Sequence, residues 1–229
     1  MTASARRLIL RFAILIGFLV VTAPLQADTA QTPVYLPDSA VDAEAVIGPP
    51  VEIGSPAFKQ QMAIVLWLQK TRTPEQVAFV EKPLNLARFV PILGADLLKV
   101  DAAALQALTD TVIDQVRDDY DAVKDHYGLL RPFSVDDAVT PVGDARPVGS
   151  YPSGHAIRAV VYARLLADLF PQHQPALTAF ARQIGYGRVI AGVHYPNDVT
   201  AGQTLGDAYA DAILAQPAYR DAVTRLKSR

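Results

Sequence analysis

Between Asp101 and Tyr127 the chain runs about seven helical turns with no proline or glycine, and its large apolar residues fall on one stripe. Leu105, Leu108, Val112, Val116, Tyr120 and Val123 recur at spacings of three and four. That is one face of an α-helix, and such a face is stable only when other elements cover it. Gly128 stands where the helix should stop, because glycine enters the left-handed conformation of a C-terminal cap without steric cost.

The rest of the chain supplies helices for that face. Ser55-Pro56 is a cap followed by a proline at the first helical position, and Ala63, Leu66 and Trp67 share one side of that helix. Thr73-Pro74-Glu75-Gln76 starts a second helix with the pattern of a capping box. Pro83 and Pro91 break or kink the next stretch. Residues 129–152 hold several prolines and read as a loop. Ser153 caps a helix that ends before Pro171, Pro175 opens another reaching about Gly192, and Pro196 opens one ending near Pro217, before a short last helix. No run alternates as strands do, and no repeat is visible. The expected architecture is an all-α, single-domain bundle of about six to seven helices over residues 55–229.

Two segments precede it. Residues 1–27 carry Arg6, Arg7 and Arg11, then an apolar run from Phe12 to Val21, then Pro24-Leu25-Gln26-Ala27. This is the layout of a cleaved secretory signal, and the run is short for a membrane span of about 20 residues. The expected location is periplasmic or secreted, with Arg6-Arg7 also compatible with twin-arginine export. Residues 28–54 are rich in proline, alanine and aspartate and read as an extended arm that packs along the domain or stays mobile.

The signal segment holds three of the 21 basic residues and none of the 23 acidic ones, so the remainder carries a net charge of −5. A nucleic-acid binder needs the opposite balance. The chain has no cysteine, which excludes disulfides and thiolate metal sites. No later apolar run reaches spanning length, so no stable membrane insertion is expected after cleavage. The apolar early helices offer a surface on which a second copy could pack.

Against that acidic background, three short stretches concentrate cations and imidazoles. They are Lys124 with Arg131-Pro132, Pro152-Ser153-Gly154-His155, and Arg188 with His194 and Asp198. Arginine presents a planar fork to two phosphate oxygens, and lysine a point charge. Ser153 and Gly154 open a helix, whose first amides are expected to be free to bind an anion. His194 and Asp198 stand four apart where a helix begins. The carboxylate can fix one ring nitrogen and leave the other to attack phosphorus. His155 can protonate a leaving alcohol and later activate water. His155, His194 and Asp198 resemble a zinc ligand set, but three nearby cations would repel a metal. No metal and no cofactor are therefore expected.

With these residues in view, the chain resembles the bacterial class A non-specific acid phosphatases of the type 2 phosphatidic acid phosphatase and vanadium haloperoxidase superfamily. That pattern is a lysine, six residues and Arg-Pro; then Pro-Ser-Gly-His; then Ser-Arg, five residues, His, three residues, Asp. Lys124 to Pro132, Pro152 to His155, and Arg188, His194 and Asp198 fit it, and Tyr151 resembles the class A version. The resemblance implies hydrolysis of phosphate monoesters through a phosphohistidine. In it His194 is the nucleophile, Asp198 its orienter and His155 acid then base, while Lys124, Arg131, Ser153, Gly154 and Arg188 hold phosphate. It also implies an acidic pH optimum and inhibition by vanadate.

One departure is Gly187, where the pattern has serine, so a hydroxyl contact to phosphate is expected to be missing. Another is Ile157, which makes the start of its helix more apolar than in the related enzymes. The alternatives are a vanadate-dependent haloperoxidase-like enzyme, a lipid or polyprenyl (di)phosphate phosphatase, and a non-catalytic periplasmic phosphate-binding protein. His126 reads as a packed or exposed helix residue and His173 as a surface loop residue.

Overall fold

The computed structural model describes residues 32–227, so the expected signal segment lies outside the described residues. Every regular element among them is helical. They are α1 (Ala43–Ile47), α2 (Pro56–Thr71), α3 (Pro74–Glu81), α4 (Val90–Leu93), α5 (Ala102–Tyr127), α6 (Pro132–Val135), α7 (Gly154–Leu169), α8 (Gln174–Ile190), α9 (Pro196–Ala215) and α10 (Pro217–Lys227). The all-α expectation holds. The seven longer helices, α2, α3, α5 and α7 to α10, are the ones the periodicity points to. The short α1, α4 and α6 are not visible as patterns because four or five residues carry no periodicity.

Local chemistry sets the boundaries. The Asp101 carboxylate accepts the amides of Ala103 and Ala104 at the start of α5, and Gly128 closes it at φ 56°. Ser55 Oγ accepts the Phe58 amide, and Thr73 and Gln76 form the reciprocal capping box of α3. Pro91 sits inside the first turn of α4 and starts that helix rather than breaking one.

The stripe of α5 is buried at Leu105, Leu108, Val112, Val116 and Tyr120, and it packs in one cluster with α7, α8, α9 and α10. α7 is apolar nearly all round, as a central helix must be, and α8 and α9 flank it. Gly202 and Gly206 let α9 lie close on α7. A Cβ at those positions would stand 2.6 Å from the Ser153 carbonyl oxygen and 2.8 Å from that of Ile157.

The described part of the arm is not extended throughout. α1 forms within it, Tyr35 and Leu36 are buried, and their amides donate to Gln115 Oε1 on α5. Its end reaches the neighbourhood of the motifs: the hydroxyls of Tyr127 and Tyr151 both donate to the Gly48 carbonyl. A second core cluster joins α2 to Val189, Tyr195 and Val199 and to Leu129, Val139 and Tyr151 of the 129–152 loop. The Tyr151–Pro152 bond in that loop is cis. No described helix is long and apolar enough to cross a membrane.

Candidate active site

A cavity of about 480 Å³ opens where the end of α5, the 129–152 loop and the start of α7 meet, and Lys124, Arg131, Gly154, His155 and His194 line it. Lys124 comes from the last turn of α5. Its Nζ donates to the carbonyls of Gly149 (3.0 Å) and Pro152 (2.6 Å), which leaves one of three protons free. Burial, then the neighbouring Arg131, pushes its pKa down to about 8. Arg131 precedes α6 and is held by the carbonyls of Val148 (3.0 Å) and Val193 (3.4 Å).

Arg188, in the last turn of α8, is 3% exposed and donates to the Asp144 carbonyl at 3.3 Å. Its Nε has no hydrogen-bond partner, and burial followed by Arg131 lowers its pKa to about 10. All three cations are therefore oriented by neutral carbonyls. Their charge is not cancelled by a bound carboxylate, so it stays available to an anion.

His194 is buried, and its Nδ1 lies 3.2 Å from Asp198 Oδ2. That same oxygen accepts Ser150 Oγ at 2.6 Å and the Tyr195 amide at 2.9 Å, while Oδ1 has no partner. The carboxylate is thus locked by α9's first turn and by the loop, and it leaves His194 Nε2 as the ring's free nitrogen. Burial, then Arg131, Lys124, Arg188 and His155, drives the His194 pKa well below its ordinary value, so the ring is neutral. Burial raises Asp198 to about 6 against the opposing pull of Ser150, the Tyr195 amide, Lys124 and Arg131. His155, on the first turn of α7, is likewise pushed well down by burial and then by Arg188, Arg158, Arg131 and Arg88.

The start of α7 differs from expectation in one respect. The Ser153 amide is not free: it donates to the Asp198 carbonyl at 2.9 Å. Its hydroxyl caps nothing and has no partner. The cause is the close approach of α9 at Gly202, which brings the two helix starts together. The amides available to an anion begin at Gly154. Five of the eight predicted residues line the cavity, and Ser153, Arg188 and Asp198 are buried without lining it.

Gly187 has a different explanation from a missing hydroxyl. A Cβ there would stand 2.9 Å from Val80 Cγ1 and near the Phe79 ring, so the position faces α3 and not the cavity. Ile157 is fully buried in the main core. His126 is exposed beside Glu44 (3.2 Å), and His173, in the 171–173 turn, contacts Asp96 (2.8 Å); neither lines the cavity.

Several residues of the site carry no sequence signal strong enough to find. Ser150 is one serine in a loop. Arg117 and Arg146 reach the cavity from a solvated helix face and from the loop. Arg158 could have been found, since it lies three residues after His155 on one helical face.

A family model described as the PAP2 superfamily matches residues 102–222. A non-specific acid phosphatase of Providencia stuartii is 26% identical over 205 residues, covering 84% of this chain and 83% of that protein. A lipid A 1-phosphatase of Rhizobium johnstonii is 29% identical over 199 residues, covering 85% and 72%. The solved transmembrane PAP2-type phosphatidylglycerolphosphate phosphatase of Bacillus subtilis shares the fold, with a TM-score of 0.53 at 22% identity over 71% of this chain and 87% of that one.

Proposed function

Because the chain belongs to the PAP2 superfamily, we propose that it is a metal-independent acid phosphatase that hydrolyses phosphate monoesters through a phosphohistidine. The observation that carries this is His194, held by Asp198, on the wall of a cavity that it shares with Lys124 and Arg131, two buried cations bound to carbonyls and not to carboxylates. A pure binding protein would need the cations but not an oriented, neutral imidazole.

In this mechanism Lys124, Arg131 and the first amides of α7 hold the phosphoryl oxygens, and Arg188, buried near Arg131, adds to the positive field that stabilises charge building on them. His194 Nε2 attacks phosphorus while Asp198 keeps the Nδ1 proton and the developing positive charge in place. The ester P–O bond breaks, and His155 delivers a proton to the leaving oxygen. A water then attacks the phosphohistidine, with His155 as base. Free His155 is kept neutral by burial and by the arginines around it. A bound phosphoryl dianion cancels that field, so the ring takes up its proton in the complex. Uptake requires an available proton, which favours acidic pH. Export to the periplasm or medium is part of the same proposal, from the residues 1–27 pattern.

Rapid-quench labelling with a phosphomonoester tests the mechanism. Wild type should give an acid-labile, base-stable phosphoenzyme, and His194→Ala none; full turnover by His194→Ala sinks the assignment. A panel of nucleotides, sugar phosphates, diphosphates and lipid phosphates decides between soluble monoesters and lipids. A halide-oxidation assay with vanadate and peroxide addresses the haloperoxidase alternative.

A further inference from the structure

Arg158 has no role in the phosphohistidine mechanism, yet it touches one of its two imidazoles. It sits one turn into α7, and its guanidinium folds back along the helix. Nε donates to the Gly154 carbonyl at 3.2 Å and Nη2 approaches His155 Nδ1 at 3.4 Å. It makes no ion pair among the described residues, and it is half-buried on the wall of the same cavity.

A guanidinium has donors only. The His155 nitrogen that faces it must therefore offer a lone pair, which places the neutral ring's proton on Nε2. Protonating Nδ1 would set an N–H against an N–H and a positive ring against a positive fork. We propose that Arg158 is a positioning residue that holds free His155 in the Nε2–H tautomer and delays ring protonation until an anionic group occupies the cavity. This rests on the phosphatase role proposed for His155.

The protons balance over the cycle. When a phosphoryl dianion draws the Arg158 fork off Nδ1, that nitrogen takes a proton from solvent. Nε2–H then goes to the leaving oxygen as the P–O bond breaks, leaving the Nδ1–H ring with Nε2 unprotonated. That nitrogen accepts the proton of the attacking water in the second half-reaction. Release of phosphate lets the Nδ1 proton return to solvent and Arg158 return to its place.

Other charges also face His155. Arg188 on α8, Arg131 before α6 and Arg88 in the turn Leu86–Arg88 oppose its protonation alongside Arg158. From the cavity wall Lys124 and His194 add to the basic side, while the carboxylates of Asp121, Asp125 and Asp144 favour a charged ring. Among the described residues it is Arg158 whose donor meets the ring nitrogen, so it is the one placed to select the tautomer.

The test is a histidine ¹⁵N NMR titration of the phosphate-free protein. Wild-type His155 should show a protonated Nε2 and a bare Nδ1, and stay neutral to well below the ordinary histidine range. Arg158→Leu should populate the Nδ1–H form and move the midpoint up by about one unit or more. Arg158→Lys keeps the charge and should keep the midpoint low. The signals of His126 and His173 report that each variant is folded. The basic limb of kcat against pH should move with the midpoint in Arg158→Leu. A wild-type Nδ1–H tautomer, which needs no variant to observe, overturns the proposal. So does an unchanged midpoint in folded Arg158→Leu. If wild type hydrolyses no phosphomonoester, the phosphatase role fails while the titration still judges Arg158.

Discussion

Replacing Asp198 with asparagine separates the two tasks assigned to this carboxylate, orientation and charge. Oδ2 alone receives Ser150 Oγ (2.6 Å), the Tyr195 amide (2.9 Å) and His194 Nδ1 (3.2 Å). An asparagine with its oxygen in that place keeps all three bonds and the tautomer. Its NH₂ then occupies the Oδ1 position, where no partner exists. What is lost is the charge, present above about pH 6 where the carboxyl is ionised. A hydrogen bond to an ionised group contributes about 1.5–3 kcal/mol and a neutral one about 0.5–1.5, so the difference is about 1–2 kcal/mol. That corresponds to about 5- to 30-fold in kcat.

Asp198→Ala also removes the orienting bond. It should cost about 10- to 160-fold from that bond alone, with the freed ring adding to the loss. It further strands the Tyr195 amide, and leaves the Ser150 hydroxyl with His194 Nδ1, 3.4 Å away, as its partner. Steady-state hydrolysis of p-nitrophenyl phosphate across pH, with thermal melts in parallel, measures both variants. Equal losses in asparagine and alanine, or no loss in either, would refute a shared-oxygen orienter.

The geometry leads to three more measurable outcomes. Lys124 is protonated below about pH 8 and loses its charge above it, so binding of an anion should weaken as pH rises. The inhibition constant for inorganic phosphate should rise about tenfold per pH unit beyond that point, and a flat profile to about pH 10 would show that Lys124 is not a ligand. Gly187→Ser should lower stability by about 1–2 kcal/mol, from its 2.9 Å clash with Val80, without raising kcat/KM. A gain in kcat/KM would mean the hydroxyl reaches the cavity after all, and combining Gly187→Ser with Val80→Ala should cost less stability than the sum of the two single changes. Gly206→Val should be severely destabilising, since its side chain would meet the Ile157 carbonyl at 2.8 Å, and an unchanged melt would contradict the α7–α9 packing.

Much of this protein is determined by its residues taken in order. The stripe on α5, the caps at Ser55, Thr73 and Asp101 and the stop at Gly128 are local effects, each decided within a turn or two of helix. The same is true of the His194–Asp198 spacing, because four residues at a helix start place two side chains on one face. Tertiary structure alone decides four other things. It consumes the Ser153 amide on the Asp198 carbonyl and turns position 187 toward α3, because Gly202 lets two helix starts touch and α3 crosses α8 at a glycine. It adds Ser150 to Asp198 across 48 residues of chain. And it buries the cations among carbonyls rather than carboxylates. Charge, tautomer and proton affinity are properties of that enclosure, which depends on packing between segments far apart in the chain.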